Sequence, residues 1–91
     1  MKKQITGNAE YLIEGLAGKG GSLTIGITKA ATVLIEASLD GSDYIPFLGN
    51  DFETAVTLKA AGWVLCRPFV TGMTLKLTVS DFTETFDAIF V

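Results

Sequence analysis

The chain contains no histidine. That removes the commonest general base and the commonest transition-metal ligand, so a catalytic triad or a zinc centre has little to be built from. Cysteine is almost as scarce: Cys66 stands alone among 91 residues and cannot close an intrachain disulfide. The chain is thus unlike secreted, disulfide-stapled scaffolds and fits synthesis in a reducing cytoplasm. Positive charge is sparse too, with seven basic residues against ten acidic ones, a net charge of −3, and no basic cluster beyond Lys2-Lys3. Without a basic stripe to displace counterions, direct contact with DNA or RNA is not expected. No apolar run approaches the roughly 18 residues of a membrane span, and no apolar stretch of the signal-peptide kind follows the basic start. The sequence reads as a complete, unprocessed polypeptide with no membrane partner.

What is present points to a folded β domain. The chain is 48% hydrophobic with a mean hydropathy of +0.43. That is apolar for a domain this small, which has much surface to cover with polar groups, so some apolar surface is expected to meet a partner. Residues 1–91 read as one domain, with residues 1–9 as a flexible N-terminal arm. From Ala31 onward, Ala31, Val33, Ile35, Ala37 and Leu39 fall on one face of a period-2 strand, with Thr32, Glu36, Ser38 and Asp40 mainly on the other. Leu34 alone breaks the alternation. The run stops at Asp40-Gly41-Ser42-Asp43, a turn, and resumes over Tyr44–Leu48, where Pro46 favours an edge strand or a bulge.

A second apolar run, Gly62–Gly72, leads into Met73, Leu75, Leu77 and Val79 alternating with Thr74, Lys76, Thr78 and Ser80, and reads as another hairpin. Tyr11–Ile13, Leu23–Thr28, Glu53–Leu58 and Phe82–Val91 supply further strands, and the glycine-rich Gly15–Ser22 a loop. With about seven or eight short strands and a turn signal about every ten residues, the expected fold is a small antiparallel β-sandwich or jelly-roll-like domain. Its expected core includes Val33, Ile35, Leu39, Trp63, Leu65, Leu75, Leu77 and Val79.

Few residues carry chemistry. Cys66 lies in an apolar strand, where a buried core thiol is the ordinary outcome, and Arg67 points to the opposite strand face. Gly15–Ser22 has a faint likeness to a phosphate-binding loop but has the wrong glycine spacing and precedes a strand. Asp40, Asp43 and Asp51 could offer oxygen ligands to calcium, though Asp-Gly and Gly-Asn are also ordinary turn chemistry. No catalytic residue, cofactor site or metal site is assigned. Tyr44 and Trp63, with Tyr11 and Phe47, form a candidate aromatic contact surface, core packing being the alternative. Arg67 sits among apolar neighbours in what reads as an inner strand, where it needs a carboxylate or an interface. Phe82, Phe86 and Phe90 share one face of the last strand and Ile89 and Val91 the other; that strand either pairs inside a sheet or packs on another subunit. Arg67, Phe86, Phe90 and Val91 are therefore the candidate interface residues.

Val33-Leu34-Ile35-Glu36-Ala37-Ser38-Leu39-Asp40-Gly41-Ser42-Asp43-Tyr44, followed by Gly62-Trp63-Val64-Leu65-Cys66-Arg67-Pro68-Phe69-Val70-Thr71-Gly72 and Thr74–Leu77, resembles small β-sandwich structural proteins of tailed bacteriophages. The likeness covers about half the chain: an apolar strand ending in Ser-x-Asp-Gly before an aromatic, then a Trp-Val-x-x-Arg-Pro strand. It implies a non-enzymatic virion component, foremost a capsid decoration or cement protein that binds the head shell through the major capsid protein as a homo-oligomer, commonly a trimer. A minor tail or neck protein is the runner-up. Discoidin-like sugar-binding modules share the Ser-x-Asp-Gly-x-x-aromatic phrase, which leaves a carbohydrate-binding module as the alternative from another class.

Overall fold

The computed structural model describes residues 1–91 and is all-β, with nine strands and no helix. The strands are β1 (Lys2–Ile5), β2 (Glu10–Ile13), β3 (Leu23–Ile27), β4 (Thr32–Ser38), β5 (Ile45–Pro46), β6 (Thr57–Leu58), β7 (Gly62–Cys66), β8 (Thr74–Ser80) and β9 (Phe86–Phe90). One sheet runs β1-β9-β3-β7; the other runs β2-β8-β4-β5, with β6 also on β4, and every pairing is antiparallel. The two sheets bury one continuous apolar core, forming the small β-sandwich that the strand periodicity predicts.

β4 and β8 form its spine. They pair over their full lengths, from Thr32↔Ser80 to Ser38↔Thr74. Val33, Ile35 and Ala37 point inward from β4, and Leu75, Leu77 and Val79 from β8, all buried. Their alternation with polar residues fixes the register, because a slip of one residue would turn each apolar side chain to water.

The chain changes sheet at every connection except β4–β5 and β5–β6. Two expectations fail against this topology. β7 and β8 are not a hairpin, since they lie in different sheets, and the segment between them crosses the end of the sandwich. There Phe69 is buried and its amide donates to the carbonyl of Gly21 at 2.7 Å. Residues 1–9 are not a free arm either: Lys2–Ile5 pairs with β9 from Lys2↔Ile89 to Ile5↔Phe86, and Ile5 is fully buried. Only one apolar side chain marks β1 in the sequence, and the long-range pairing supplies the rest.

The C-terminal strand takes the first of its two expected places. β9 lies between β1 and β3, and Phe86 and Phe90 are 4% and 3% exposed, so they serve the core and offer no interface. The expected core is right at Val33, Ile35, Leu75, Leu77 and Val79 and wrong at Leu39, Trp63 and Leu65, which are exposed. Leu39 lies just beyond the end of β4, where the turn has begun. Trp63 and Leu65 lie on the outward face of β7, whose inward face is held by Val64 and Cys66.

Candidate functional site

Two surfaces stand out, both bounded by β7. The first is the outer face of the β1-β9-β3-β7 sheet. Register aligns Trp63, Gly26 and Ile89 in one row, and Leu65, Thr24 and Val91 in the next, where Thr24 and Val91 exchange amide–carbonyl hydrogen bonds of 3.0 and 2.9 Å. Trp63 is 60% exposed and packs on Gly26: a methyl group added to Gly26 would come within 2.5 Å of the indole. Trp63, Leu65 and Val91 thus form an apolar group on this face, beside half-buried Ile89.

The edge of that sheet is open at β7. Thr24 directs its backbone bonds to β9, so by antiparallel alternation Leu23, Ile25 and Ile27 direct theirs to Cys66, Val64 and Gly62. The N–H and C=O groups of Trp63 and Leu65 therefore point off the sheet edge. Unpaired edges are usually blunted by charge, proline or shortness. β1 carries Lys2 and Lys3, β2 carries Glu10, and β5 is two residues long and includes Pro46. β7 has none of these within its span, and beside this edge lie only β6 and the Leu48–Asn50 segment, neither of which pairs with it.

The second surface is an open groove of about 970 Å3 at the end of the sandwich, where the β4–β5 turn, β5, the Gly49–Thr54 turn and the exit of β7 converge. Its exposed apolar lining is Leu39, Ile45, Leu48 and Phe52, with buried Phe47 below and Arg67 and Pro68 at the side. A smaller cleft of about 460 Å3 lies past Arg67 and is lined by Leu48, Trp63 and Leu65 among others. Arg67 borders both. It is exposed, follows an edge strand instead of sitting in an inner one, and belongs to none of the chain's salt bridges. The carboxylate expected to pair with it is therefore not supplied within the chain.

Local hydrogen bonds tie down both rims. In the β4–β5 turn, Asp40 Oδ1 accepts from the Ser38 hydroxyl at 2.7 Å and from the amides of Ser42 and Asp43 at 2.8 Å, while Ser38 Oγ accepts from the Gly41 amide. The Asp43 amide foremost, then the Ser38 hydroxyl and Ser42 amide, hold the Asp40 carboxyl well below the usual carboxylate range. Asp51 does the same in the next turn, where the Thr54 hydroxyl, followed by the amides of Thr54 and Glu53, draws its carboxyl down to about 2. Both carboxylates act as turn caps, and no group of three metal-ligating side chains converges. Cys66 is fully buried, and burial pushes its thiol up to about 12, away from nucleophilic chemistry.

No family model matches the chain, and no curated protein or solved structure matches it either.

The four aromatics grouped in the sequence reading do not meet. Trp63 lies on the outer face of one sheet and Tyr44 on that of the other, where the Lys76 ammonium sits 4.8 Å from the Tyr44 ring centroid. Lys76 also bridges Glu10 and Glu36 at 3.5 Å, so the outer face of the β2-β8-β4-β5 sheet carries an ion-paired cluster of one lysine and two glutamates. Tyr11 spends its hydroxyl on the main chain of Thr6 and Gly7, and Phe47 is buried. What the sequence reading missed is Phe52, 82% exposed on the groove rim. Its signal was an aromatic between two acids, Asp51 and Glu53, directly after a Gly-Asn turn.

Proposed function

We propose that the chain is a non-enzymatic virion structural protein of the capsid decoration or cement type, which attaches to the head shell through the outer face of the β1-β9-β3-β7 sheet. The observation that supports it most is the contrast between the two outer faces. One carries ion pairs around Lys76 with exposed Leu12 beside them, and the other groups Trp63, Leu65 and Val91 next to a sheet edge with no strand partner. An apolar face next to unpaired main-chain donors and acceptors suits attachment to another protein, either face-on or by addition of an extended segment to β7. The buried, unreactive thiol and the carboxylates committed to turns point the same way, toward binding and away from catalysis. The acidic balance suits a position outside the shell, with no contact to packaged nucleic acid.

Mass spectrometry of virions purified from the source phage should find the chain at high copy number. Purified protein should bind heads that lack it, and Trp63→Ala should weaken that binding without unfolding the domain. A few copies per particle would favour the tail or neck. Absence from the particle, with binding in a glycan screen that Trp63→Ala abolishes, would favour the carbohydrate-binding alternative.

A further inference from the structure

The groove at the end of the sandwich carries two charges that its own chain does not use. Arg67 forms no salt bridge, and neither does Asp43, although both line the groove. Asp43 lies beside Asp40, which lines the same groove; Asp40 is taken up by the turn, whereas the Asp43 carboxylate meets no cation of its own chain. The same groove exposes Leu39, Ile45 and Phe52. A patch with an unpaired cation on one side, an acidic turn on the other and apolar surface between them is self-complementary. A two-fold rotation can set the cation of one copy against the anion of the other and repeat the contact in reverse. An unrelated partner would need the mirrored layout built for the purpose, whereas a second copy has it already.

Phe52 points to the same use. Its φ is +58°, in the left-handed region that bulky side chains rarely adopt and that glycine or asparagine adopts readily. The turn holds it there: Phe52 N–H donates to the Gly49 carbonyl at 3.0 Å, Gly49 N–H to that of Thr54 at 2.9 Å, and Asp51 caps Glu53 and Thr54. The monomer thus accepts an unfavourable backbone state for a ring it leaves in water. Strain of this kind collects where a side chain has a task.

We propose that the protein self-associates as a two-fold dimer through this groove, with Arg67 of each copy paired to Asp43 of the other and each Phe52 ring seated against the partner copy's apolar lining. The dimer leaves Trp63 and Leu65 of both copies free for a larger partner, and it stands whether or not that partner is a capsid. The charge layout favours a pair where the phage resemblance implies a trimer.

Charge reversal in solution tests it. Sedimentation of the full chain, up to millimolar concentration, should show a monomer–dimer equilibrium. Arg67→Asp and Asp43→Arg should each weaken it about tenfold or more, because like charges then face each other. An equimolar mixture of the two variants should regain dimers, since each variant carries the charges the other now needs. Phe52→Asn should weaken association while raising the unfolding midpoint measured at high dilution, a pairing of effects that a merely structural Phe52 would not produce. A monomeric mass at millimolar concentration, a trimeric mass, or a mixture that stays monomeric would overturn the proposal. A monomeric mass leaves shell attachment standing, and absence from virions leaves the dimer standing, so the two readings fail separately.

Discussion

β4 and β7 are both apolar strands of the same sandwich, yet they use their apolar residues differently. In β4 the apolar residues alternate with polar ones, and the strand lies inside its sheet with Val33, Ile35 and Ala37 buried. β7 is apolar on both faces and lies at an edge, so one set enters the core as Cys66 and Val64 while the other remains on the surface as Trp63 and Leu65. A strand that spends apolar residues on both faces of an edge holds more than its own core can bury. The surplus marks the surface where a partner is expected.

The largest test of that contrast is energetic. Ile35→Ala on β4 should destabilise the domain by about 3 kcal/mol, the usual range for a fully buried aliphatic, whereas Leu65→Ala on β7 should fall within about 0.5 kcal/mol. Denaturant unfolding measures both, and equal losses would erase the distinction. A smaller effect concerns how Trp63 rests on the sheet. Gly26→Ala should cost about 1–3 kcal/mol because the new methyl meets the indole, and most of that cost should vanish in a Trp63→Ala background. If the cost persists there, the indole is not what Gly26 accommodates.

Acid sharpens the comparison at the groove. Asp51 titrates lower in the folded chain, at about 2, than the ordinary carboxylate value of 3.8. Its capping contribution is therefore fully present above that ordinary value and is lost as pH falls toward 2. Asp51→Asn should be less stable than the parent at neutral pH, and the gap should narrow in this acid window when melts are compared. A constant gap would show that the cap does not depend on charge. The last test carries no stability change and reads the two faces of β7 directly. In the native protein acrylamide should quench the fluorescence of Trp63, the sole tryptophan, while Cys66 should resist thiol reagents until the chain unfolds. Reactivity of Cys66 in the native state would reverse the faces.

Legibility followed the clarity of alternation. β4 and β8 were readable because polar and apolar residues take turns and only one register buries the apolar set. The β4–β5 hairpin was readable too, its Asp-Gly turn and edge proline both carrying local signals. β7 was not, because with apolar residues at successive positions the period cannot say which face is inward. β1 was missed because Lys2, Lys3 and Gln4 give no alternation, and only pairing with β9 makes them a strand. Of the candidate site residues, Arg67 borders the groove and Trp63 and Val91 share an outer face, while Phe86 and Phe90 went to the core. The groove itself is assembled from turns distant in the chain and leaves no continuous trace in the sequence.

Local pattern was enough for the all-β class, the spine of the core and the turns, because these rest on period-2 alternation and on residues whose backbone preferences act over a few neighbours. Which strands share a sheet, that β7 lies at an edge, and that Arg67, Asp43 and Phe52 line one groove emerge only once the chain is folded. Those outcomes depend on how two sheets cover each other's apolar faces, a competition among segments far apart in the chain that no local pattern records.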